Sequence, residues 1–276
     1  MTQDFDPGYG TGVFADLVGS APGADVYPLA AFRVEWGPVF HRGRLDGSAR
    51  VLVIGQDPAT HEAICRRILV GEAGQRVQGL LAKLGIDRSY VLVNAFLYSV
   101  FGQQGGERHV ADPGIAAYRH RWFDAVAAAG DLQAIISLGH LADAAYQAWK
   151  ATPAGAACTA AYATVLHPTY PDSASRGGKI TKAAAFARLC TSWNAALDAL
   201  QPAITPDTAT PLAHYGTTIL PAELRSIPAG DLPPGVPPWM GGLAAWAVRR
   251  GTDAQAKRAT IVVTVPRGAR SWPPLK

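Results

Sequence analysis

Four short runs of apolar residues stand out in a chain that otherwise mixes apolar and polar positions. They cover residues 51–55, 90–94, 134–139 and 162–167 and are rich in β-branched side chains. Strands that are covered on both faces of a parallel sheet show this nearly continuous apolar pattern. The four runs therefore predict four buried parallel strands.

Segments with helical periodicity separate the predicted strands. In residues 74–86 the apolar side chains recur at helical spacing, and Gly85 is a suitable residue to end that helix. Residues 115–130, 141–149 and 181–200 show the same periodicity. Strands that alternate with helices predict an α/β fold with right-handed crossovers. We expect a three-layer α/β/α sandwich around a central, roughly four-stranded parallel sheet.

The composition of the chain changes near Gln201. Residues 201–276 hold 12 of the 21 prolines, and the net charge of +4 arises entirely in this segment. We expect an α/β domain over residues 1–200 and a Pro-rich, basic C-terminal extension over residues 201–276. Its tryptophans favour an extension that packs on the core, or on a second subunit in a homodimer. Its charge favours an arm that contacts phosphates, and both interpretations stay open.

Composition excludes several classes of protein. Hydrophobic residues make up 49% of the chain and charged residues 17%, which suits a large core and excludes global disorder. The three cysteines lack a Cys-x-x-Cys spacing and are too few for a four-cysteine metal centre, as expected in the reducing cytoplasm. The N-terminus lacks the pattern of a secretory signal, and no apolar run is long enough to span a membrane.

Polar side chains follow the predicted strands at the edge where open parallel sheets bind ligands. Gln56 and Asp57 follow the first strand, Asn94 ends the second and His167 ends the fourth. No nucleophilic Ser or Cys accompanies them, and no Gly-rich phosphate loop directly follows a strand. Each residue alone also fits a structural role: a helix cap for Asp57, a turn residue for Asn94 and a core histidine for His167.

Several motifs resemble the uracil-DNA glycosylase superfamily, and they occur in its order and spacing. GQDPA at residues 55–59 is similar to the first motif of the family 1 enzymes. LVNAFL at 92–97 is similar to the motif whose Asn reads uracil, and LHPTYPD at 166–172 resembles the motif with the catalytic His. Residues 68–81 look more like a segment of the family 4 enzymes. The resemblance covers about residues 45–200.

The resemblance implies a monofunctional glycosylase that hydrolyses the N-glycosidic bond of uracil in DNA and initiates base excision repair. It implies no cofactor and no metal. Asp57 would orient the attacking water and stabilise the sugar cation, and His167 would donate a hydrogen bond to uracil O2. Asn94 would read the base edge in a pocket that Gly55 and Gln56 also line.

The sequence departs from the family pattern at three places. Ala59 replaces the Tyr that blocks the thymine methyl in family 1, so 5-hydroxymethyluracil and xanthine are expected as further substrates. Leu69 replaces the Phe that stacks on the base, which predicts weaker stacking. In the third motif Thr169, Tyr170 and Arg176 are the candidate DNA contacts, with Tyr170 as a candidate wedge. Because the usual apolar wedge is replaced, single-stranded DNA is expected to be accepted at least as well as duplex.

Three other functions are compatible with parts of the pattern. A non-catalytic reader of uracil-containing or damaged DNA would keep the pocket without turnover, although the complete set of Asp57, Asn94 and His167 argues against it. An unrelated α/β hydrolase or nucleotide-binding protein would share the GQDP motif by chance. A protein whose main role is scaffolding through the extension would not depend on the motif residues.

Overall fold

Strands and helices alternate along the described part of the chain. The structure, a computed structural model, describes residues 9–101, 106–253, 256–257 and 260–269. The strands are β1 (His41–Gly43), β2 (Val51–Gly55), β3 (Tyr90–Asn94), β4 (Ala134–Leu138), β5 (Ala161–Val165), β6 (Ala247–Arg249) and β7 (Ile261–Val263). The α-helices within these ranges are α1 (Gly12–Gly19), α2 (Thr60–Cys65), α3 (Glu72–Lys83), α4 (Pro113–Ala129), α5 (His140–Lys150), α6 (Pro153–Ala157), α7 (Tyr170–Ser175) and α8 (Lys182–Leu200). None of these helices combines the length and the apolar character that a membrane span requires.

The central sheet has five strands in the order β1-β3-β2-β4-β5. Strand β2 pairs in parallel with β3 and β4, and β4 pairs in parallel with β5. These are the four strands that the apolar runs predict, and the expected parallel sheet is confirmed. The fifth strand, β1, pairs antiparallel with β3 at the edge. It was not predicted because its sequence, His-Arg-Gly, has no apolar run.

Helices cover both faces of this sheet, which confirms the three-layer architecture. Leu52 and Ile54 point into one core cluster, which includes buried side chains of α1, α4 and α5. Val51 and Val53 point into a second cluster, which includes buried side chains of α3 and α8. Successive side chains of a strand point to opposite faces, so a strand between two helical layers must be apolar throughout. The uninterrupted apolar sequence of β2 follows from this position.

The described residues of the C-terminal extension pack on the core of their own chain. Ile204 and Tyr215 belong to the second core cluster. The Asp207 carboxylate accepts hydrogen bonds at 2.9 Å from the backbone N–H groups of three consecutive residues, Asp87, Arg88 and Ser89. These bonds attach the extension to the turn that precedes β3. The division of the chain at Gln201 stays a prediction.

A buried ion pair attaches the extension to the edge of the sheet. Arg42 of β1 donates to Asp231 at 2.7 Å, and both side chains are almost completely buried. Arg42 also donates to the Ile68 carbonyl and to Gln78 Oε1, each at 3.0 Å, while the Tyr90 hydroxyl donates to Asp231 at 2.5 Å. These hydrogen bonds offset part of the desolvation of the two charges.

A third apolar cluster joins the last part of the extension to α2. Met240, Trp246 and Ala247 pack there against Cys65 and Val70. The chain itself therefore provides the burial that the sequence led us to expect for Trp246. Strands β6 and β7 form a two-stranded antiparallel hairpin.

We expect Asp231→Ala to destabilise the fold strongly, because it leaves Arg42 buried without its counter-charge. The free energy of unfolding, measured by urea denaturation, should fall by about 3–5 kcal/mol. Asp198→Ala is the matched control, because it removes a carboxylate from an exposed pair with His214 and should cost about 1 kcal/mol or less. Equal losses in the two variants would contradict the role of Asp231.

Candidate active site

The polar residues predicted from the strand ends do converge on one edge of the sheet. Strands β2, β3, β4 and β5 are parallel, so their carboxyl ends lie together. Gly55 and Asn94 are direct partners across β2 and β3, and Gln56 and Asp57 follow immediately. His167 lies two residues beyond the end of β5.

Asp57 is held in a partly buried position beside the turn after β3. Its Oδ2 accepts a hydrogen bond from the backbone N–H of Val100 at 3.0 Å. Burial raises the pKa of the Asp57 carboxyl from 3.8 to about 7, against the lowering effects of the Val100 N–H, Gln56 and Arg33. A carboxyl group with a pKa near neutrality can accept a proton from water, as a general base does.

A cavity of about 160 Å³ opens beside Asp57. The short segment after β2 provides Gln56, Asp57, Ala59 and Thr60 to its wall. The rest of the wall comes from distant parts of the chain and includes Trp36, Ser99, Val100 and Arg249. The cavity therefore brings a potential base together with an aromatic side chain and a cation. Ala59 is exposed and its small side chain leaves this side of the cavity open.

Asn94, Gly55 and Leu69 form a second group at the same edge. A Cβ atom at Gly55 would overlap Asn94 Oδ1 and would lie 3.7 Å from Leu69 Cδ1. The glycine is required there because the Asn94 amide occupies the space above it. Within the described residues, no side chain or backbone group hydrogen-bonds with the Asn94 amide. Its donor and acceptor are therefore available to a ligand.

The loop that carries Leu69 is held by buried polar side chains. Leu69 has a left-handed backbone, with φ of 52°, which is costly for a residue other than glycine. Glu62 accepts from the N–H groups of Val70 and Gly71 at 3.0 and 3.4 Å, and also from the Ala59 N–H at 3.0 Å. Glu62 therefore links the GQDPA segment to the Leu69 loop. Its carboxylate has a structural role.

Two arginines that follow α2 have structural roles. Arg66 donates to the carbonyls of Trp36 and Pro38 at 2.7 and 2.5 Å. Arg67 is buried, and its guanidinium lies over the ring of Tyr9, 5.5 Å from the ring centre. Arg66 therefore stabilises the segment that carries Trp36, whereas Arg67 packs on Tyr9.

His167 is a neutral hydrogen-bond donor at this edge. Its Nδ1 accepts from the Thr169 backbone N–H at 3.2 Å, and a backbone N–H can only donate. We therefore assign the proton of the neutral ring to Nε2. Burial, and then the nearby positive charge of Arg76, lower the pKa of His167 from 6.5 to about 4. Gly139, with φ of 85°, lies against His167, where a Cβ would come within 3.2 Å of the His167 Cβ.

The three residues predicted to contact DNA lie in different environments. The Thr169 hydroxyl is 2.9 Å from His167 Nδ1, so it contacts the catalytic candidate itself. Tyr170 begins α7, and its partly buried ring packs on the second core cluster. Arg176 is exposed directly after α7. Their roles toward DNA stay predictions.

Three residues that line the cavity were not predicted from the sequence. Trp36 ends a 3₁₀ turn, Val34–Trp36, and the Arg33 guanidinium lies between its ring and that of Phe101, at 4.8 and 4.2 Å from the ring centres. Val100 contributes a backbone N–H, which does not depend on residue type. Arg249 comes from the extension. None of them belongs to a motif, so no local signal identifies them.

The described residues contain no group of three or more His, Cys, Asp or Glu side chains arranged to hold a metal ion. The polar groups at the strand ends suit hydrogen bonding to an uncharged base and to a sugar.

Comparison with known proteins identifies the family of the α/β part. The family model described as the uracil DNA glycosylase superfamily matches residues 42–200, which is more than half of the chain. The match includes every strand of the central sheet except the first residue of β1. No curated protein matches the sequence.

We expect Asp57→Asn to stabilise the fold increasingly as the pH rises. The folded-state pKa of about 7 lies above the ordinary value of 3.8. Between these values the folded protein holds a proton that the unfolded chain has lost, so the wild type loses stability as the pH rises through this interval. The amide variant has no such loss and can still accept the Val100 hydrogen bond.

Urea unfolding between about pH 4 and about pH 8 measures this difference in the free energy of unfolding. The advantage of Asp57→Asn should grow across the interval and become constant above a pH of about 7. Asp198→Asn, at an exposed carboxylate, should show no such trend. A constant or shrinking advantage of Asp57→Asn would show that the Asp57 pKa is not raised.

Proposed function

This chain belongs to the uracil DNA glycosylase superfamily, and we propose that it excises uracil from DNA as a monofunctional glycosylase. The observation that carries the proposal is the placement of Asp57, Asn94 and a neutral His167 at the ends of parallel strands of one sheet. Superfamily membership supports glycosidic hydrolysis on a DNA substrate. The choice of uracil rests on the three side chains.

In the proposed reaction the bond between the sugar C1′ and the uracil N1 breaks, and its electron pair leaves with the base. The Asp57 carboxylate stabilises the positive charge that develops on the sugar, and it accepts a proton from the water that attacks C1′. The His167 Nε2–H donates to uracil O2 as negative charge accumulates there. No lysine acts as a nucleophile, so the product is an abasic site.

Asn94 determines which base the site accepts. Its amide accepts from uracil N3–H and donates to O4, whereas cytosine presents the opposite pattern at these two atoms. Gly55 lets the amide lie close to the strand. A wrong base leaves a dehydrated donor or acceptor without a partner, which costs about 1–3 kcal/mol. Leu69 supplies an aliphatic contact to the base.

The cavity beside Ala59 supports a wider range of substrates than uracil alone. Its volume of about 160 Å³ leaves room next to the alanine methyl, where the family 1 enzymes have a tyrosine. We propose that 5-hydroxymethyluracil enters this space. Xanthine presents a similar imide edge and is a further candidate.

The structure of the third motif supports activity on single-stranded DNA. The Tyr170 ring packs partly on the core, and Pro171 is buried, so neither extends freely as a wedge. Base extrusion from a duplex costs a few kcal/mol, and it costs least in a single strand. An enzyme without a prominent wedge is best suited to bases that are already unpaired.

An excision assay tests the proposed function. Protein is incubated with single-stranded and duplex oligonucleotides that contain uracil, in the presence of a chelator. His167→Ala should lower kcat by about 10²–10³-fold, because it removes the donor to the departing base. Asp57→Asn should lower kcat by about 10²–10⁴-fold.

The matched control is His214→Ala, because His214 is exposed and pairs with Asp198 of α8 rather than with any residue of the strand-end site. Its activity should equal that of the wild type. Wild-type protein that binds uracil-containing DNA without excising it would support the non-catalytic reader instead. Protein that excises uracil with undiminished kcat in both active-site variants would refute the assigned roles.

Ala59→Tyr should narrow the substrate range. The larger side chain fills the space beside the cavity, so excision of 5-hydroxymethyluracil should fall at least about tenfold relative to uracil, as overpacking of a site typically costs 1–3 kcal/mol. Comparing kcat/KM on oligonucleotides with either base measures the ratio. Ala59→Ser should keep the wild-type ratio. Equal losses on both bases would mean that residue 59 does not face the C5 substituent.

A further inference from the structure

The C-terminal hairpin of β6 and β7 docks on the segment that carries Asp57. The Ala247 backbone N–H donates to His61 Nε2 at 3.3 Å, and the Trp246 ring lies edge-on to His61 with ring centres 4.7 Å apart. His61 belongs to α2, four residues after Asp57. Trp246 is fixed in turn by its indole N–H, which donates to the Met240 carbonyl at 2.8 Å. The hairpin therefore has a defined position relative to the cavity.

Strand alternation directs Arg249 toward the cavity. Ala247 faces α2 and is buried, and residues two apart in a strand share a face. Arg249 therefore lies on the same face as Ala247, and it lines the cavity together with Asp57, Ala59 and Thr60. Val248, on the opposite face, is exposed. The fold thus brings a cation from the extension to the rim of the proposed site.

The Arg249 guanidinium has no counter-charge within the described part of the chain. No carboxylate there lies within 4.0 Å of it, and Asp57 takes its hydrogen bond from the Val100 N–H instead. Arg249 is exposed, so solvent stabilises its charge until a ligand binds. An exposed arginine beside a cavity can bind an oxyanion through two parallel hydrogen bonds.

We propose that Arg249 binds a DNA phosphate adjacent to the flipped nucleotide, so that the C-terminal extension completes the substrate site. This inference rests on the proposed function. If the sugar C1′ lies at Asp57, the phosphates of that nucleotide must lie at the rim of the cavity, where Arg249 lies. Lys257 and Arg267 are exposed on the same part of the extension, and they add a positive field that attracts the DNA backbone.

The comparison of two adjacent arginines tests the proposal. Arg249→Gln removes the cation at the cavity, and Arg250→Gln removes the same charge from the next residue, which lies beyond the end of β6. With a single-stranded uracil oligonucleotide, Arg249→Gln should raise KM by about tenfold or more, the loss expected for one charge-assisted hydrogen-bonded contact. Its kcat should change less than its KM. Arg250→Gln should change KM by no more than about twofold.

Salt dependence shows whether the lost contact is to phosphate. The slope of log affinity against log salt should decrease in magnitude by about 0.7 in Arg249→Gln, the value for one single-strand phosphate. Arg249→Lys keeps the charge and should restore the slope. Thermal unfolding of each variant checks that the hairpin remains folded, because the Arg249 side chain is exposed and its replacement should leave Tm unchanged.

Oligonucleotides with one uncharged methylphosphonate linkage identify the phosphate. At one of the two linkages that flank uracil, the neutral linkage should weaken wild-type binding about as much as Arg249→Gln does. In Arg249→Gln the same linkage should cause no further loss of affinity. In Arg250→Gln the linkage should weaken binding as much as it does in the wild type.

The outcomes separate this inference from the proposed function. Suppose that the wild type excises uracil but the two arginine variants have the same KM. Then only the role of Arg249 is wrong. The same conclusion follows if the neutral linkage weakens the binding of Arg249→Gln as much as that of the wild type. If the wild type binds DNA without excision, the same comparison is made with Kd in place of KM and decides the role of Arg249. If the wild type neither excises uracil nor binds DNA, both proposals are wrong.

Discussion

The enclosed position of β2 is the constraint on which the rest of the structure depends. Both edges of this strand are paired, and both faces are buried. A shift of one residue would turn Leu52 and Ile54 toward the wrong helical layer and break the ladder on both sides. Because one register satisfies all of these requirements, the strand must end at Gly55. Gly55 is therefore paired with Asn94, and Asp57 follows two residues later, where the Val100 N–H holds it.

The C-terminal extension is held by the same sheet and contributes a residue to the site. Asp231 pairs with Arg42 on the edge strand, and removing either partner would leave a charge buried without compensation. This pairing fixes the path of the chain toward the hairpin, which then docks on α2 through His61. The segment after β2 thus contains Asp57, and it also contains His61, on which the hairpin that carries Arg249 packs. The site and the extension share one structural support.

Burial moves the two ionisable groups of the site in opposite directions. It raises the pKa of Asp57 to about 7 and lowers that of His167 to about 4, because in each case the charged form loses hydration. The imidazole consequently stays neutral through the whole range in which the carboxyl group titrates. Two groups whose environments separate their pKa values can take different roles in one reaction. In the proposed reaction one group is the base and the other an uncharged donor.

Much of the fold, and the placement of the candidate site residues at the strand ends, could be predicted from the sequence, because periodicity and strand-end motifs are local properties. The apolar run before Asp57 predicts a buried strand, and parallel strands bring Asn94 and His167 to the same edge. Other features follow only from tertiary contacts. The Val100 N–H bonds Asp57 from 43 residues away and Arg249 reaches the cavity from the extension. No residue pattern encodes such contacts, since they depend on how packed layers place distant backbone segments. Sequence therefore determined which groups could react, and tertiary structure decided what surrounds them.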